Sequence, residues 1–454
     1  MTVIWAEQAL LPGGWAQDVA VRVEGARIAS VAAGVPRPAG AQAVGLLLPA
    51  PANLHSHAFQ RAIAGLTERR GPDPRDSFWT WRRQMYAFLD RMSPQDVQAV
   101  AAQVFVEMAE AGYAAVAEFH YLHHGPGGQP FADLAEMAGR IVAAAAETGL
   151  GLTLLPVLYM QGGCDGRALV AGQDRFGNTL DRFALLLEGA EAHAAALPGD
   201  TVVGVAPHSL RAVPPQALAA AAALRPDRPL HMHLAEQVAE VDEVQGALGA
   251  RPVEWLLANA DLDARWCLIH CTQMQRAETL ALAATGAVAG LCPITESSLG
   301  DGIFDGVAYA GAGGRWGVGS DSNIRIAWSE ELRTLEYSQR LRDRSRAALA
   351  TADRSTGRAL VEGAAAGGAQ AAGRDAGRIE AGRLADLVAL DTTHPDMEGR
   401  SGDTALDTFV FARDDRMVRH VWSAGRHIVQ DGHHPARDRV QAAYRATMRR
   451  LMAG

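Results

Sequence analysis

Two histidines stand two residues apart in Asn53-Leu54-His55-Ser56-His57, and the spacing recurs in His231-Met232-His233-Leu234-Ala235-Glu236, which adds a carboxylate three residues on. His270 follows, and then Asp321 within Gly319-Ser320-Asp321-Ser322-Asn323. Each of these groups closes a short apolar run. On a strand, residues i and i+2 point to the same side, so the paired imidazoles converge. Three neutral imidazoles and one carboxylate suit a single divalent metal ion, zinc above all, with one position left for water. A lone histidine at a strand end is ordinarily a hydrogen-bonded core residue. Here histidines and acids recur at strand end after strand end, with Glu118 and His120 on the second run and His208 on the fourth. Buried ionisable groups are costly unless paired or bound to metal, so chance placement is a poor account.

The elements that must carry these residues repeat one pattern between roughly residues 46 and 322. A short apolar run ends in polar residues, and an Ala/Leu-rich amphipathic stretch follows. The runs begin at Leu46, Ala114, Leu152, Val202, Pro229, Trp266, Ala287 and Trp316. Short apolar strands alternating with helical segments indicate βα units around a buried parallel sheet. Eight units over roughly 275 residues fit a (β/α)₈ TIM-type barrel, typically ~250 residues, whose active sites lie at the C-terminal ends of the strands. An open doubly wound sheet would carry a glycine-rich nucleotide loop after its first strand, which is missing here.

Outside the barrel the pattern changes. Residues 15–31 alternate apolar and polar around Glu24-Gly25 and read as a hairpin, and strands are expected at 385–390, 418–422 and 425–429. These place a small β domain on both chain termini: residues 1–48 and 376–454 flank a catalytic barrel at 49–375, with a basic amphipathic helix from Val440 to Met452 docking at the end. The low-complexity run Gly363–Ala369 fits either a linker or a helix packed closely against the barrel.

Composition narrows the functions. The 454 residues are 48% apolar and 20% charged, a globular mixture. No run reaches the ~18 apolar residues of a membrane span, and Met1–Glu7 lacks a signal peptide's basic start. A formal charge of −9 leaves no basic surplus for nucleic acid. All 42 basic residues are arginine, which excludes Schiff-base chemistry, a P-loop lysine and a carbamylated-lysine metal bridge. The four cysteines (Cys164, Cys267, Cys271, Cys292) are too few for a disulfide scaffold and point to reduced thiols in a cytoplasmic protein.

The combination of His55-x-His57, His233-x-x-Glu236, His270 and Asp321 resembles the mononuclear deaminases of the amidohydrolase superfamily. Gly382-Arg383-Leu384-Ala385-Asp386-Leu387-Val388 is similar to that superfamily's small β domain, so the resemblance covers essentially the whole chain. Four further strings resemble the N-formimino-L-glutamate deiminases: Asn53–Arg61, Asp76–Arg82, Ala117–Tyr121 and Glu296–Phe304. The chain departs from that pattern at Pro49-Ala50-Pro51-Ala52 and at Ser297-Ser298, neither of them a ligand position.

The resemblance implies one ion, zinc in the first place, on His55, His57, His233 and Asp321, where it would lower the pKa of its water to about 7. His233 lies nearer the C-terminal mouth than His231, which should sit one layer deeper. In the implied mechanism Glu236 protonates the formimino nitrogen, and His270 orients the nucleophile and stabilises the tetrahedral intermediate. Asp321 takes the water's proton and passes it to the leaving ammonia. The implied substrate carries two carboxylates, which arginine meets with a two-pronged hydrogen bond. Arg211, just after the fourth strand, is the first choice. Gln60, Tyr121 and His208 are substrate-binding by resemblance, and Arg82 is chosen from its tryptophan-rich string, with Trp79 and Trp81 packing over the mouth. A homodimer is common among such enzymes. A purine-ring deaminase is the nearest alternative, and a scaffold protein descended from the superfamily is a remote one.

Overall fold

The computed structural model describes residues 2–68, 85–86 and 88–453. The string Asp76–Arg82, with Arg82, Trp79 and Trp81, therefore lies outside the described residues.

Four strands open the chain: β1 (Thr2–Leu11), β2 (Gly14–Glu24), β3 (Arg27–Ala32) and β4 (Gln42–Pro49). The barrel strands are β5 (Ala52–Ser56), β6 (Ala115–His120), β7 (Gly151–Leu158), the split pair β8 (Val202–Val203) and β9 (Ala206–Pro207), β10 (Leu230–Leu234), β11 (Trp266–His270), β12 (Val288–Leu291) and β13 (Arg315–Val318). Three more close the chain: β14 (Leu387–Leu390), β15 (Val418–Ser423) and β16 (Arg426–Val429).

The barrel ladder is parallel throughout. It runs β5-β6-β7-β8, with β9 also on β7, and then β10-β11-β12-β13. Single parallel bridges, Val205 to Leu230 and Ser56 to Asp321, join the two halves and close the ring. The second bridge brings a ligand candidate against the first strand. β8 and β9 are separated at Gly204, where a Cβ would stand 2.6 Å from the Pro229 carbonyl oxygen, so only glycine lets the next strand approach.

One run belongs elsewhere. Leu46-Leu47-Leu48, expected to lead the first barrel strand, lies in β4, which pairs parallel with β1 and antiparallel with β14. Pro49 and Pro51 interrupt the run, and a residue without N–H cannot continue a central ladder. The barrel restarts at Ala52. The seven-stranded terminal sheet has the order β16-β15-β14-β4-β1-β2-β3 and is built from both ends of the chain. Ile4, Val21, Leu47, Leu387 and Trp422 form its own core, apart from that of the barrel.

The low-complexity run is helical, inside Thr356–Ala371. Its glycines are required by proximity: a Cβ on Gly367 would stand 1.8 Å from the Trp316 carbonyl oxygen, and one on Gly368 2.6 Å from that of Ala52. This helix therefore lies under the N-terminal ends of β5 and β13. At its C-terminal end, the Ala371 and Ala372 carbonyls accept hydrogen bonds from His231 Nε2 and Thr153 Oγ1, each at 2.7 Å. The C-terminal helix Arg437–Ala453 buries Val440 and Leu451 and pairs Arg450 with Asp96 at the start of the helix Pro94–Glu110. At the junction of barrel and sheet, buried Arg374 bridges Asp200 and Asp386, and Arg426 from β16 also reaches Asp200, at 2.7 Å.

Candidate metal centre and catalytic cavity

At the C-terminal mouth, His55 Nε2 stands 3.1 Å from both His57 Nε2 and His233 Nε2. Asp321 Oδ1 lies 3.5 Å from His55 Nε2 and 3.2 Å from His57 Nε2. A tetrahedral ion with bonds of about 2.1 Å holds its ligand atoms roughly 3.4 Å apart, the spacing found here. The protonation pattern points the same way. His57 Nδ1 donates to the Phe119 carbonyl at 2.9 Å, and His233 Nδ1 to that of His208 at 3.2 Å. Both rings therefore turn an Nε2 lone pair inward, which is the usual outer support of a ligating histidine. Burial holds His55 near a pKa of about 3, and burial with neighbouring imidazoles holds His233 well below the ordinary histidine value. Burial opposes the charge of Asp321, but the adjoining imidazoles of His55 and His57 outweigh it and keep the carboxyl far below its usual range. Three imidazoles and one carboxylate are a divalent ion's donor set, and the residues present fit one.

The backbone beneath is held by a buried polar chain. Asn53 Nδ2 donates to Ser320 Oγ at 2.7 Å, Ser320 Oγ to Asn323 Oδ1 at 2.6 Å, and Asn323 Nδ2 to Ser56 Oγ at 3.1 Å. Main-chain bonds from His57 N to Asp321 O and from Asp321 N to His55 O, both 2.9 Å, complete the tie between β5 and the loop after β13. Ala235, His270, Cys271, Asp321 and Asn323 all have positive φ, so left-handed backbone concentrates where the chain leaves the barrel at this site. Glu240 steadies the first of these turns, accepting from the N–H groups of Ala235 (3.2 Å) and Glu236 (2.9 Å).

Beside the cluster, His270 Nδ1 lies 3.2 Å from Glu296 Oε1, and its Nε2 is 3.8 Å from Glu236 Oε1 and 3.9 Å from Asp321 Oδ2. Burial disfavours charge on His270, but Glu236, Glu296 and Asp321 together raise it to about 10, so the ring is an imidazolium. Burial raises Glu236 above the usual carboxylate value, against the pull of His270. Asp301, behind it, is raised to about 9 by burial and by Glu236. The site thus pairs a carboxyl group able to hold a proton with a fixed cationic donor.

The cavity over these groups is lined by Gln60, Tyr121, His208, Arg211, Glu236 and His270, with Tyr159, Phe176, Leu299 and Ser322 among the remaining walls. The structure thus brings together the ligand, catalytic and substrate-binding candidates that lie among the described residues, but not the strand-end pair Glu118 and His120. Gln60 Nε2 donates to Tyr121 Oη at 2.6 Å, which leaves the buried Gln60 Oε1 without a partner among the described residues. Arg211 Nε is likewise buried and unpaired there; burial works against its charge, and Glu240, Tyr159, Glu236 and Glu243 favour it. His231 lies one layer down, as its position implies, and is bonded to the barrel floor.

The second strand is a correction. Glu118 and His120 do not line the cavity; Phe119, whose ring meets those of His55, His57 and His233, occupies the inward phase with Tyr121. Glu118 accepts from the Ala58 N–H at 2.6 Å instead, and His120 packs on His123. Alternation along the strand forces this division. Glu296, Glu240 and Tyr159 take part in the site without having been singled out. Glu296 sat inside one of the strings noted above, but a carboxylate on a helix carries no signal of its own.

A closed parallel eight-stranded barrel with this cluster at its C-terminal mouth is the architecture of an amidohydrolase, and residues 46–428 match the amidohydrolase family. Residues 1–43 match the N-terminal domain of formimidoylglutamate deiminase HutF. The chain is 46% identical to the formimidoylglutamate deiminase of Pseudomonas aeruginosa over 98% of each chain. It is also 48% identical to an amidohydrolase of Brucella melitensis whose crystal structure superimposes with a TM-score of 0.96 over 100% of both chains. An adenosine deaminase of Xanthomonas campestris, solved with bound zinc, shares the fold at 21% identity (TM-score 0.83, 100% and 99% covered). The chain belongs to the amidohydrolase family and, within it, to the formimidoylglutamate deiminases. Among the described residues no helix is long and apolar enough to cross a membrane.

Proposed function

We propose that the chain hydrolyses N-formimino-L-glutamate to N-formyl-L-glutamate and ammonia. The observation that carries this reading is one cavity holding three kinds of group at once: the His55/His57/His233/Asp321 cluster, the proton-holding Glu236 and the guanidinium of Arg211. A divalent ion on the cluster, zinc first, would make hydroxide available near neutral pH.

The rest falls to the chain's own residues. The formimino carbon resists attack until its nitrogen is protonated, and Glu236, raised by burial, carries the proton it needs. His270, cationic and pinned by Glu296, orients the attacking water and donates to the oxygen that gains charge as the tetrahedral intermediate forms. Asp321 Oδ2, turned towards His270, accepts the proton of the attacking water and returns it to the departing amine. Ammonia leaves as the C–N bond breaks and the C=O bond forms, the hydroxyl proton of the intermediate returning to the Glu236 carboxylate. Arg211 is the group for a substrate carboxylate, and the amide of Gln60, with Tyr121 and His208, borders the remainder. The activity of the Pseudomonas aeruginosa relative and the carboxylate-seeking arginine favour this substrate over a purine ring.

The test is ammonia release by the zinc-loaded protein on N-formimino-L-glutamate, N-formimino-L-aspartate, guanine and an adenosine derivative. Turnover of the glutamate compound, with KM raised sharply in Arg211→Met, is the expected result. Turnover of a ring compound alone would refute the substrate, and no turnover by metal-loaded protein would refute the reaction.

A further inference from the structure

A fifth group reaches the same cavity wall from behind. Cys292 follows β12 directly, and its Sγ, one His270 nitrogen and one Asp321 oxygen all lie within 4.8 Å of one another. Cys292 is fully buried, at the N-terminus of the helix Pro293–Leu299. Its N–H donates to Glu296 Oε1 at 2.8 Å, the oxygen that His270 Nδ1 also faces. With Nδ1 so engaged, Nε2 is the His270 nitrogen that can coordinate, once it gives up its proton.

Asp321 is divided between two directions. Its Oδ1 faces His55 and His57, while its Oδ2 faces His270. One carboxylate can therefore bridge two cation positions, the first made of imidazoles and the second of sulfur, nitrogen and oxygen. Glu236, 3.8 Å from His270 Nε2, adds a nearby negative charge.

We propose that Cys292 Sγ, His270 Nε2 and Asp321 Oδ2 form a second cation site, selective for thiophilic divalent ions, whose filling inactivates the enzyme. Selectivity follows from the sulfur: soft ions such as Cd2+ favour thiolate, whereas Mg2+ and Ca2+ favour oxygen. Binding displaces the thiol proton and the His270 Nε2 proton to solvent, and the thiolate and the Asp321 carboxylate offset the ion's charge. Inactivation follows from the ligands, because the ion occupies the atoms of His270 and Asp321 assigned above to proton handling. That part rests on the proposed hydrolytic reaction; the site itself does not.

The experiment uses protein carrying one equivalent of zinc, in a Cys164→Ser background that removes the half-exposed thiol. CdCl2 is titrated in while three quantities are followed: the ultraviolet thiolate-to-cadmium charge-transfer band, metal content after desalting, and turnover of N-formimino-L-glutamate. The first site contains no sulfur, so exchange of cadmium for zinc there leaves the band silent. The expected result is a second equivalent whose band and inhibition rise together. Losing an outer partner of a metal site costs about 10–100-fold in affinity, so losing the sulfur ligand in Cys292→Ala should raise the half-saturating CdCl2 by about 100-fold or more. Cys292→Ser, which preserves shape, should behave alike, separating loss of sulfur from loss of packing. No second equivalent, or a band that persists in both variants and so belongs to Cys267 or Cys271, overturns the proposal. If the substrate assignment fails, turnover drops out of the experiment, and the band and stoichiometry still decide the site.

Discussion

Gly367→Ala adds one methyl group to the floor of the barrel, and its consequence can be worked from the backbone. The new Cβ would stand 1.8 Å from the Trp316 carbonyl oxygen and 2.4 Å from its carbon, where real Cβ atoms essentially never come nearer than 3.0 Å. The helix Thr356–Ala371 and β13 must therefore separate by at least about 1.2 Å. No side chain can rotate away, because the obstructing atoms are main chain. Overpacking typically costs about 1–3 kcal/mol, and rigid backbone on one side of the contact puts this case at the upper end. The displacement also reaches the site, since β13 contains Trp316 and leads into the loop that carries Asp321, and a misplacement of about 1 Å can cost roughly 10²-fold in rate. Thermal unfolding, a competing-chelator titration for metal affinity, and kcat/KM would be read side by side. Gly246→Ala is the control, in the helix Val238–Leu248 with nothing within 4 Å of its added Cβ; it should stabilise by up to about 1 kcal/mol. If Gly367→Ala matches the wild type in melting temperature and metal affinity, the helix does not bear on the floor and the reasoning fails.

Glu236→Gln should lower kcat by about 10²–10⁴-fold while metal content, read by elemental analysis, stays at one equivalent. Asn323→Ala removes the acceptor of Ser320 Oγ and the amide donor to Ser56 Oγ and should weaken metal binding by about 10–100-fold in a chelator titration, with the barrel's circular dichroism unchanged. Arg374→Met strands Asp386 in the interior, leaves Asp200 with Arg426 alone, and should cost about 3–5 kcal/mol in denaturant unfolding. Asp200 supplies a pH test of the same cluster. Burial raises its pKa, but Arg426 and Arg374 outweigh this and leave it depressed. A depressed carboxylate contributes stability that is complete above the unfolded value of about 3.9 and lost as pH falls through the lower folded value. Acid unfolding of Arg426→Met should therefore begin at higher pH than that of the wild type; coincident acid limbs would contradict the assignment.

What could be read in advance, and what could not, divides along the phase of the strands. His55 and His57, or His233 and Glu236, needed only a spacing and the rule that barrel chemistry sits where strands end, and both are geometric consequences of the chain itself. The phase of β6 was different. All six residues of Ala115–His120 are buried, so hydrophobicity does not alternate and nothing in composition says which three face the axis. Titratable side chains drew attention to Glu118 and His120, yet Phe119 is the residue against the metal cluster. Leu46-Leu47-Leu48 failed for a related reason: an unbroken apolar run suits any buried sheet, and the prolines after it, not the leucines, assign it to the terminal one. Cys292 was equally silent, because a cysteine at a strand end passes as packing until His270 and Asp321 are seen beside it. One of these ambiguities resolves from the chain's own sequence. Tyr121 had been placed at the substrate site by resemblance, and strand alternation puts residue 119 on the same face as 121 and excludes 118 and 120 from it. Tyr121 and the pair Glu118/His120 were thus alternatives under a period of two, and a single residue of known orientation is enough to set the phase of an otherwise featureless strand.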